Sequence, residues 1–375
     1  MTAAETGGPP ASLPPTRLGE PATVLARTIA GNRFRFDPVI AVLGALLAGF
    51  VALAAVGVDP FAAYRALLGG AFGSSAALSA TLVQMTPLLL VGLALGLSFE
   101  SGFFNIGAGG QYGVGALAAG LVGGFVHLPG AAELAAMAAA AVAAGAIWAL
   151  LPAVLRAFTG ASEIITTLML SYVAADLIDY VVTGPGGSGG VVNQTPALRG
   201  NALFPPLAAQ TQLTAAVVVA VALVPVMWFV LRRTAFGYRL RMVGKNPQVA
   251  QAAGISVRRT AVLSLTASGG IAGLGGMLEV ASVTLAVPQN FSIQVGFTAI
   301  AVALLARNQP FGILVASFLL GGLAAGATPM EAQVGVSGPF VTFLEAIIIA
   351  TVAGMPLARR ALRSLRSRRP AGGRP

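Results

Sequence analysis

Apolar residues gather in long runs along this chain, and polar residues gather between them. A helix needs ~20 predominantly apolar residues to cross the ~30 Å hydrocarbon layer of a bilayer. Runs of this kind cover about 38–58, 79–98, 106–126, 132–155, 163–183, 212–231, 260–281, 294–306, 310–327 and 338–356. The pattern predicts an all-α, polytopic membrane protein with about ten transmembrane helices. The run 294–306 is short for a full crossing, which predicts a tilted or broken helix, and 98–105 leaves a brief connection between the second and third runs. Ten spans divide into five plus five, and an odd number per half inverts the second half relative to the first. Inverted repeats of this kind place a substrate path between the halves. The division rests on the count, since no residue-by-residue repeat is visible.

Two polar loops break the pattern. Loop 184–211 opens with Gly184-Pro185-Gly186-Gly187-Ser188-Gly189-Gly190 and contains Pro196, Pro205 and Pro206, which is turn chemistry. Loop 232–259 carries seven cations and no acid. Inside it Asn246 suits an N-cap, Pro247 the first helical position and Gly254 a left-handed stop, so one short helix is predicted. Val249, Ala252 and Ala253 fall at i, i+3 and i+4 and make one narrow apolar face. A helix of about two turns is marginal alone in water. The face therefore suggests docking on another protein, with a turn packed on the chain's own spans as an equal alternative.

Composition agrees with lipid as the solvent. Of 375 residues 56% are apolar and 9% charged, where about a quarter are charged in an ordinary soluble protein. The apolar content excludes a disordered chain, and the 48 glycines follow no collagen period. The net charge of +10 is explained by position. Four cations (Arg17, Arg27, Arg33, Arg35) lie in the lead 1–36, seven in loop 232–259 and seven in the tail, with Arg156 and Arg307 at other inner turns. With the N-terminus inside, ten spans leave only Arg65 and Arg199 outside, as the positive-inside rule requires. An odd count would put the lead or the tail on the wrong side. The charge is thus topological, and no nucleic acid is expected as a partner. The expected organisation is a disordered cytosolic lead 1–36, a membrane domain 37–357 and a basic cytosolic tail 358–375. Within the domain, 184–211 is external and 232–259 cytosolic. The lead lacks the apolar stretch and cleavage site of a signal peptide.

Reactive chemistry is sparse. Without cysteine there are no disulfides or thiolate metal sites, and the one histidine, His127, excludes a multi-histidine site. The one lysine, Lys245, is not part of a G-x-x-x-x-G-K-[ST] loop, so ATP hydrolysis by this chain alone is not expected. No metal or cofactor of its own is expected either. The stretch 98–111 sets Asn105 and Gln111 among glycines. Glycine in a helix interior costs ~1 kcal/mol relative to alanine. In membranes small residues let backbones approach, and amides bond across helices or line a cavity. Close packing and a polar path both remain open for this stretch. Asp176 and Asp179 share one helical face, and Glu279 and Glu345 also fall in spans. Buried acids in lipid are candidates for function, against interfacial placement or helix pairing. Tyr172 and Tyr180 suit either stacking on a ring or an interfacial belt.

The run Gly102-Phe103-Phe104-Asn105-Ile106-Gly107-Ala108-Gly109-Gly110-Gln111 resembles the G-x-F-N-I-G-x-x-G-Q signature of nucleoside-type ABC importer permeases. Their wider group includes simple-sugar and branched-chain amino-acid permeases. The resemblance continues through Ser162–Tyr172, Thr234–Gly244 with Ala252–Ile255, Ser268–Gly276 and Ile300–Pro310, covering most of 80–355. The chain departs from the family pattern at Ser162 and Ser171, and at Gly109, where an acid is usual. The resemblance implies a permease in the bacterial inner membrane without catalytic residues, with ATP bound by a separate cytosolic ATPase. That ATPase would dock on Asn246, Pro247, Val249, Ala252, Ala253 and Gly254. An external binding lipoprotein would deliver an uncharged nucleoside, and a second permease, identical or homologous, would complete the path. Asn105, Gln111, Thr166, Thr167, Ser171, Asp176 and Asn308 are the expected path residues, offering amides and hydroxyls without an ion pair. A simple-sugar permease is the alternative. An ion-coupled secondary transporter is the rival class, but no Arg or Lys lies within a span to pair with Asp176.

Overall fold

Side-chain caps fix where several helices start. Asp59 Oδ1 accepts from Phe61 N, Ser74 Oγ from Ala77 N, Thr234 Oγ1 from Gly237 N and Ser256 Oγ from Arg259 N. Each satisfies an amide that has no partner within the first turn. The computed structural model describes residues 37–129, 131–207, 211–336 and 339–351. The expected lead 1–36 and basic tail 358–375 lie outside the described residues.

In chain order the helices are α1 (Asp37–Ala55), α2 (Pro60–Phe72), α3 (Ser75–Glu100), α4 (Ala108–Phe125), α5 (Ala132–Thr159), α6 (Glu163–Thr183) and α7 (Ala216–Arg233). They continue as α8 (Ala235–Lys245), α9 (Pro247–Ala252), α10 (Val257–Glu279), α11 (Val295–Leu305), α12 (Pro310–Val334) and α13 (Pro339–Thr351). No strand occurs among the described residues, which hold two isolated antiparallel bridges. Six helices are long and apolar enough to cross a membrane: α3, α5, α6, α7, α10 with its π-helical extension Val280–Thr284, and α12. The helices α1, α11 and α13 are apolar but shorter. The short run 294–306 is accordingly one short helix.

The centre is α3. Every residue from Met85 to Phe99 is buried, as expected of a helix that is apolar all round. Around it pack α10, α12 and α11, and α10 in turn lies along α5 and α4. Contact between α4, α5 and α10 is backbone-close. A Cβ on Gly115 would overlap Gly273, and one on Gly145 would overlap the Gly269 carbonyl. Small residues at helix crossings are the membrane solution to packing without a hydrophobic drive. α4 is glycine-rich and carries Gln111, and it is enclosed by α5, α6 and α10.

Two features were not foreseen. α2 is a thirteen-residue helix started by Asp59 and Pro60, and it packs on α12 where Gly70 meets Pro329 and Gly326 meets Leu67. It is too short, and broken by Arg65, to register as a span. Loop 184–207 is also held in place: Thr195 N donates to Val287 O (3.0 Å), Leu198 N to Leu285 O (2.7 Å) and Gln289 N to Asn193 O (2.9 Å). The π-helical segment ends at Leu285, whose φ of 57° turns the chain to meet that loop.

Candidate functional site

The predicted short helix is α9, running Pro247–Ala252. Asn246 Oδ1 accepts from Gln248 N (3.0 Å) and Val249 N (3.1 Å), and Gly254 has φ +77°. Ala250 is buried, while Val249, Ala252 and Ala253 are exposed. The inward residue seats the helix in a small apolar cluster with Phe103, Ala153, Val243, Ala261 and Leu265. The outward residues leave an unpartnered apolar face beside the basic α8, which carries Arg239, Arg241 and Lys245.

That cluster joins α9 to the segment 101–107. Gly102 has φ +80° and its Cα side abuts Gly244 at the end of α8. Phe103 belongs to the cluster, and the Arg156 guanidinium lies 5.9 Å from its ring centre. Arg156 Nε also pairs with Glu163 at 3.2 Å, tying the end of α5 to the start of α6.

Two residues further on, Asn105 and Gln111 form a closed amide pair. Asn105 Nδ2 donates to Gln111 Oε1 (2.7 Å) and Gln111 Nε2 donates to Asn105 Oδ1 (2.9 Å). Asn105 Nδ2 also reaches Ser268 Oγ (2.9 Å), which donates to Ala94 O (2.7 Å). The two amides are 0% and 1% exposed, so they join α3, α4 and α10 and face neither lipid nor an open cavity. Their polar side-chain atoms are bonded to one another and to Ser268 within the chain.

The remaining expected path residues separate by helical face. On α6, Thr167 and Ser171 are buried against Gly107 and Gly110, and their hydroxyls bond back to Glu163 O (2.6 Å) and Thr167 O (3.4 Å). They too pack inward. Thr166 is half-buried and bonds to Ser162 O (3.0 Å). Asp176 lies on the opposite, exposed face with Ile165, Met169, Tyr172 and Tyr180, a stripe at spacings of four and three. Tyr172 is 54% exposed and Tyr180 69%. The pattern of burial, unavailable to hydropathy, is what distinguishes these faces. Asn308 sits in the turn after α11 with φ 59°, and its buried Oδ1 has no partner among the described residues. Gly109 has no room for a side chain: a Cβ would overlap the Ile293 carbonyl.

The profile of the family described as "Branched-chain amino acid transport system / permease component" matches residues 77–358. This chain belongs to that family. The permease is 36% identical over 327 residues to a guanosine ABC transporter permease of Bacillus subtilis, covering 84% of this chain and 92% of the relative. It is 38% identical over 324 residues to a glucose ABC transporter permease of Haloferax volcanii (83% and 85% covered). It is 31% identical over 327 residues to a nucleoside ABC transporter permease of Lactococcus lactis (84% and 90% covered). No solved structure matches. The permease is the membrane subunit of an ABC importer, a multi-pass protein of the plasma (inner) membrane. Its family implies an ATPase partner and a substrate-binding protein in the same system.

Proposed function

We propose that this permease carries nucleosides inward. The observation that carries the reading is that two relatives named for guanosine and for nucleosides each cover 84% of the chain. The exposed stripe of α6 supports it. A carboxylate facing hydrocarbon is costly, so the face bearing Asp176 belongs against water or protein. A second permease subunit, identical or homologous, would cover it, with an aqueous path between the two. Tyr172 and Tyr180 offer aromatic faces to a heteroaromatic base, and Asp176 accepts hydrogen bonds from ribose hydroxyls. The half-buried Thr166 and the unpartnered Asn308 Oδ1 extend the polar surface toward the cytosolic side. Asn105, Gln111, Thr167 and Ser171 would shape the path from behind by fixing α4 against α6 and α10.

The ten-span topology with both ends cytosolic, and its five-plus-five inverted halves, belong to this proposal. So does the division of labour. The chain binds no ATP, and a cytosolic ATPase docks on Val249, Ala252 and Ala253. Movement of α9 then reaches the spans through Val243, Phe103 and the Asn105–Gln111 pair, which are in unbroken contact or sequence. The external binding lipoprotein makes the tight capture, while hydrogen bonds in the path, each worth ~1 kcal/mol net, let the cargo go.

The test is uptake into proteoliposomes containing the permease, its ATPase and its binding protein. Radiolabelled guanosine should accumulate with ATP and be displaced by unlabelled nucleosides. The 38% identity to a glucose permease favours one other outcome, displacement by glucose and not by nucleosides, and that outcome overturns the assignment.

A further inference from the structure

A furrow runs along the outside of the helix bundle between α1 and α12. Near the cytosolic end it has a volume of about 610 Å³ between Val39 and Leu43 on α1 and Gly312 and Val315 on α12. It shares Val42, Val315 and Leu319 with a second cavity of about 380 Å³ that reaches toward α2 and α13. Both volumes lie in the ~300–1,000 Å³ range of ordinary ligand sites. The furrow exists because the two ends of α1 pack differently. At its outer end Gly49 fits directly against Leu344 and the Tyr64 hydroxyl, whereas toward its start Val39 and Leu43 are more than half exposed.

The furrow is apolar except at its mouth. There Arg307 and Gln309 form the rim, and Arg232 Nη2 donates to Gln309 Oε1, which brings a second guanidinium to that rim. The level of the mouth in the bilayer is marked by Trp228, which packs against Phe311 and lies under the Arg233 guanidinium at 5.7 Å. Tryptophan beside cations is the signature of the headgroup boundary.

We propose that this furrow binds an anionic phospholipid of the cytosolic leaflet, with its phosphate at Arg232 and Arg307 and an acyl chain between α1 and α12. Two guanidiniums at headgroup depth match a phosphodiester. The same charge argues against the other occupants. The lead and the tail of this chain are themselves basic, so neither brings an excess of anionic charge to the mouth. The placement in the cytosolic leaflet rests on the topology proposed above, but binding itself does not depend on transport or on its substrate.

The full-length permease would be equilibrated in nanodiscs of equal parts phosphatidylglycerol and phosphatidylcholine, and its retained lipids read by native mass spectrometry. Phosphatidylglycerol should be retained over phosphatidylcholine by a factor of about thirty, the scale set by two arginines at the headgroup level. Arg232→Gln with Arg307→Gln should abolish the preference while an acyl chain is still retained. Val315→Trp, at an exposed position, should fill the furrow and lose both lipids. Equal retention of the two lipids by the unaltered protein, or a preference that survives the double substitution, overturns the proposal. Dissociation of permease subunits by Val315→Trp with lipid retention unchanged would assign the furrow to a second copy instead. Because the readout is lipid mass, a failure of nucleoside uptake leaves this result standing, and the reverse also holds.

Discussion

The Asn105–Gln111 pair shows how a buried polar group is made tolerable in a span. Its four side-chain nitrogen and oxygen atoms bond to each other, and the second Asn105 amide hydrogen goes to Ser268. Asn105→Leu would leave Gln111 and Ser268 short of partners in a fully buried place. Each orphaned group costs ~1–3 kcal/mol. The variant should therefore melt at a lower temperature in detergent and also transport several-fold less. Lower uptake with an unchanged melting temperature would instead put the amide in contact with substrate. The distinction matters because a sequence offers the same two amides in either case. Asn105 and Gln111 are six residues apart and legible as unusual for lipid, but Ser268 joins them from 163 residues away.

Among the elements, α9 is the one whose sequence and structure agree most closely. Asn246, Pro247 and Gly254 act locally, through a cap, a fixed φ and a left-handed stop, and local determinants survive any tertiary arrangement. Ala250 packs on the chain, while Val249, Ala252 and Ala253 point away from it, so one side of the helix is spent on its own fold and the other is open. Replacing Ala252 and Ala253 together with Asp should weaken co-purification of the ATPase at least several-fold and abolish ATP-driven uptake, with membrane insertion unchanged. Uptake at the original rate would mean the ATPase docks elsewhere. On α6 the agreement is partial. Thr167, Ser171 and Asp176 are all polar residues of one span, yet burial places the first two against α4 and the third on the open face.

At the scale of the whole molecule, orientation follows from the distribution of arginine. Loop 184–207, pinned to 285–290, should lie outside, and the arginine-rich loop 232–259 inside. Alkaline phosphatase fused within 190–205 should be active, and a fluorescent protein fused after the tail should fold in the cytosol. An inactive phosphatase at 190–205 would reverse the topology and move the lipid site to the other leaflet.

The sequence by itself determined the solvent of this protein, its all-helical build, its capped helix starts and the short helix α9. These properties are sums over neighbouring residues: hydropathy accumulates along a run, and caps act within a turn. Tertiary structure decided which face of each helix is open. It enclosed α4 between α5, α6 and α10, closed the Asn105–Gln111 pair onto Ser268, raised α2 onto α12 and left α1 standing off to form the furrow. Those outcomes depend on backbones brought together by glycines far apart in the chain, as where Gly115 meets Gly273. No local pattern encodes which glycine will face which.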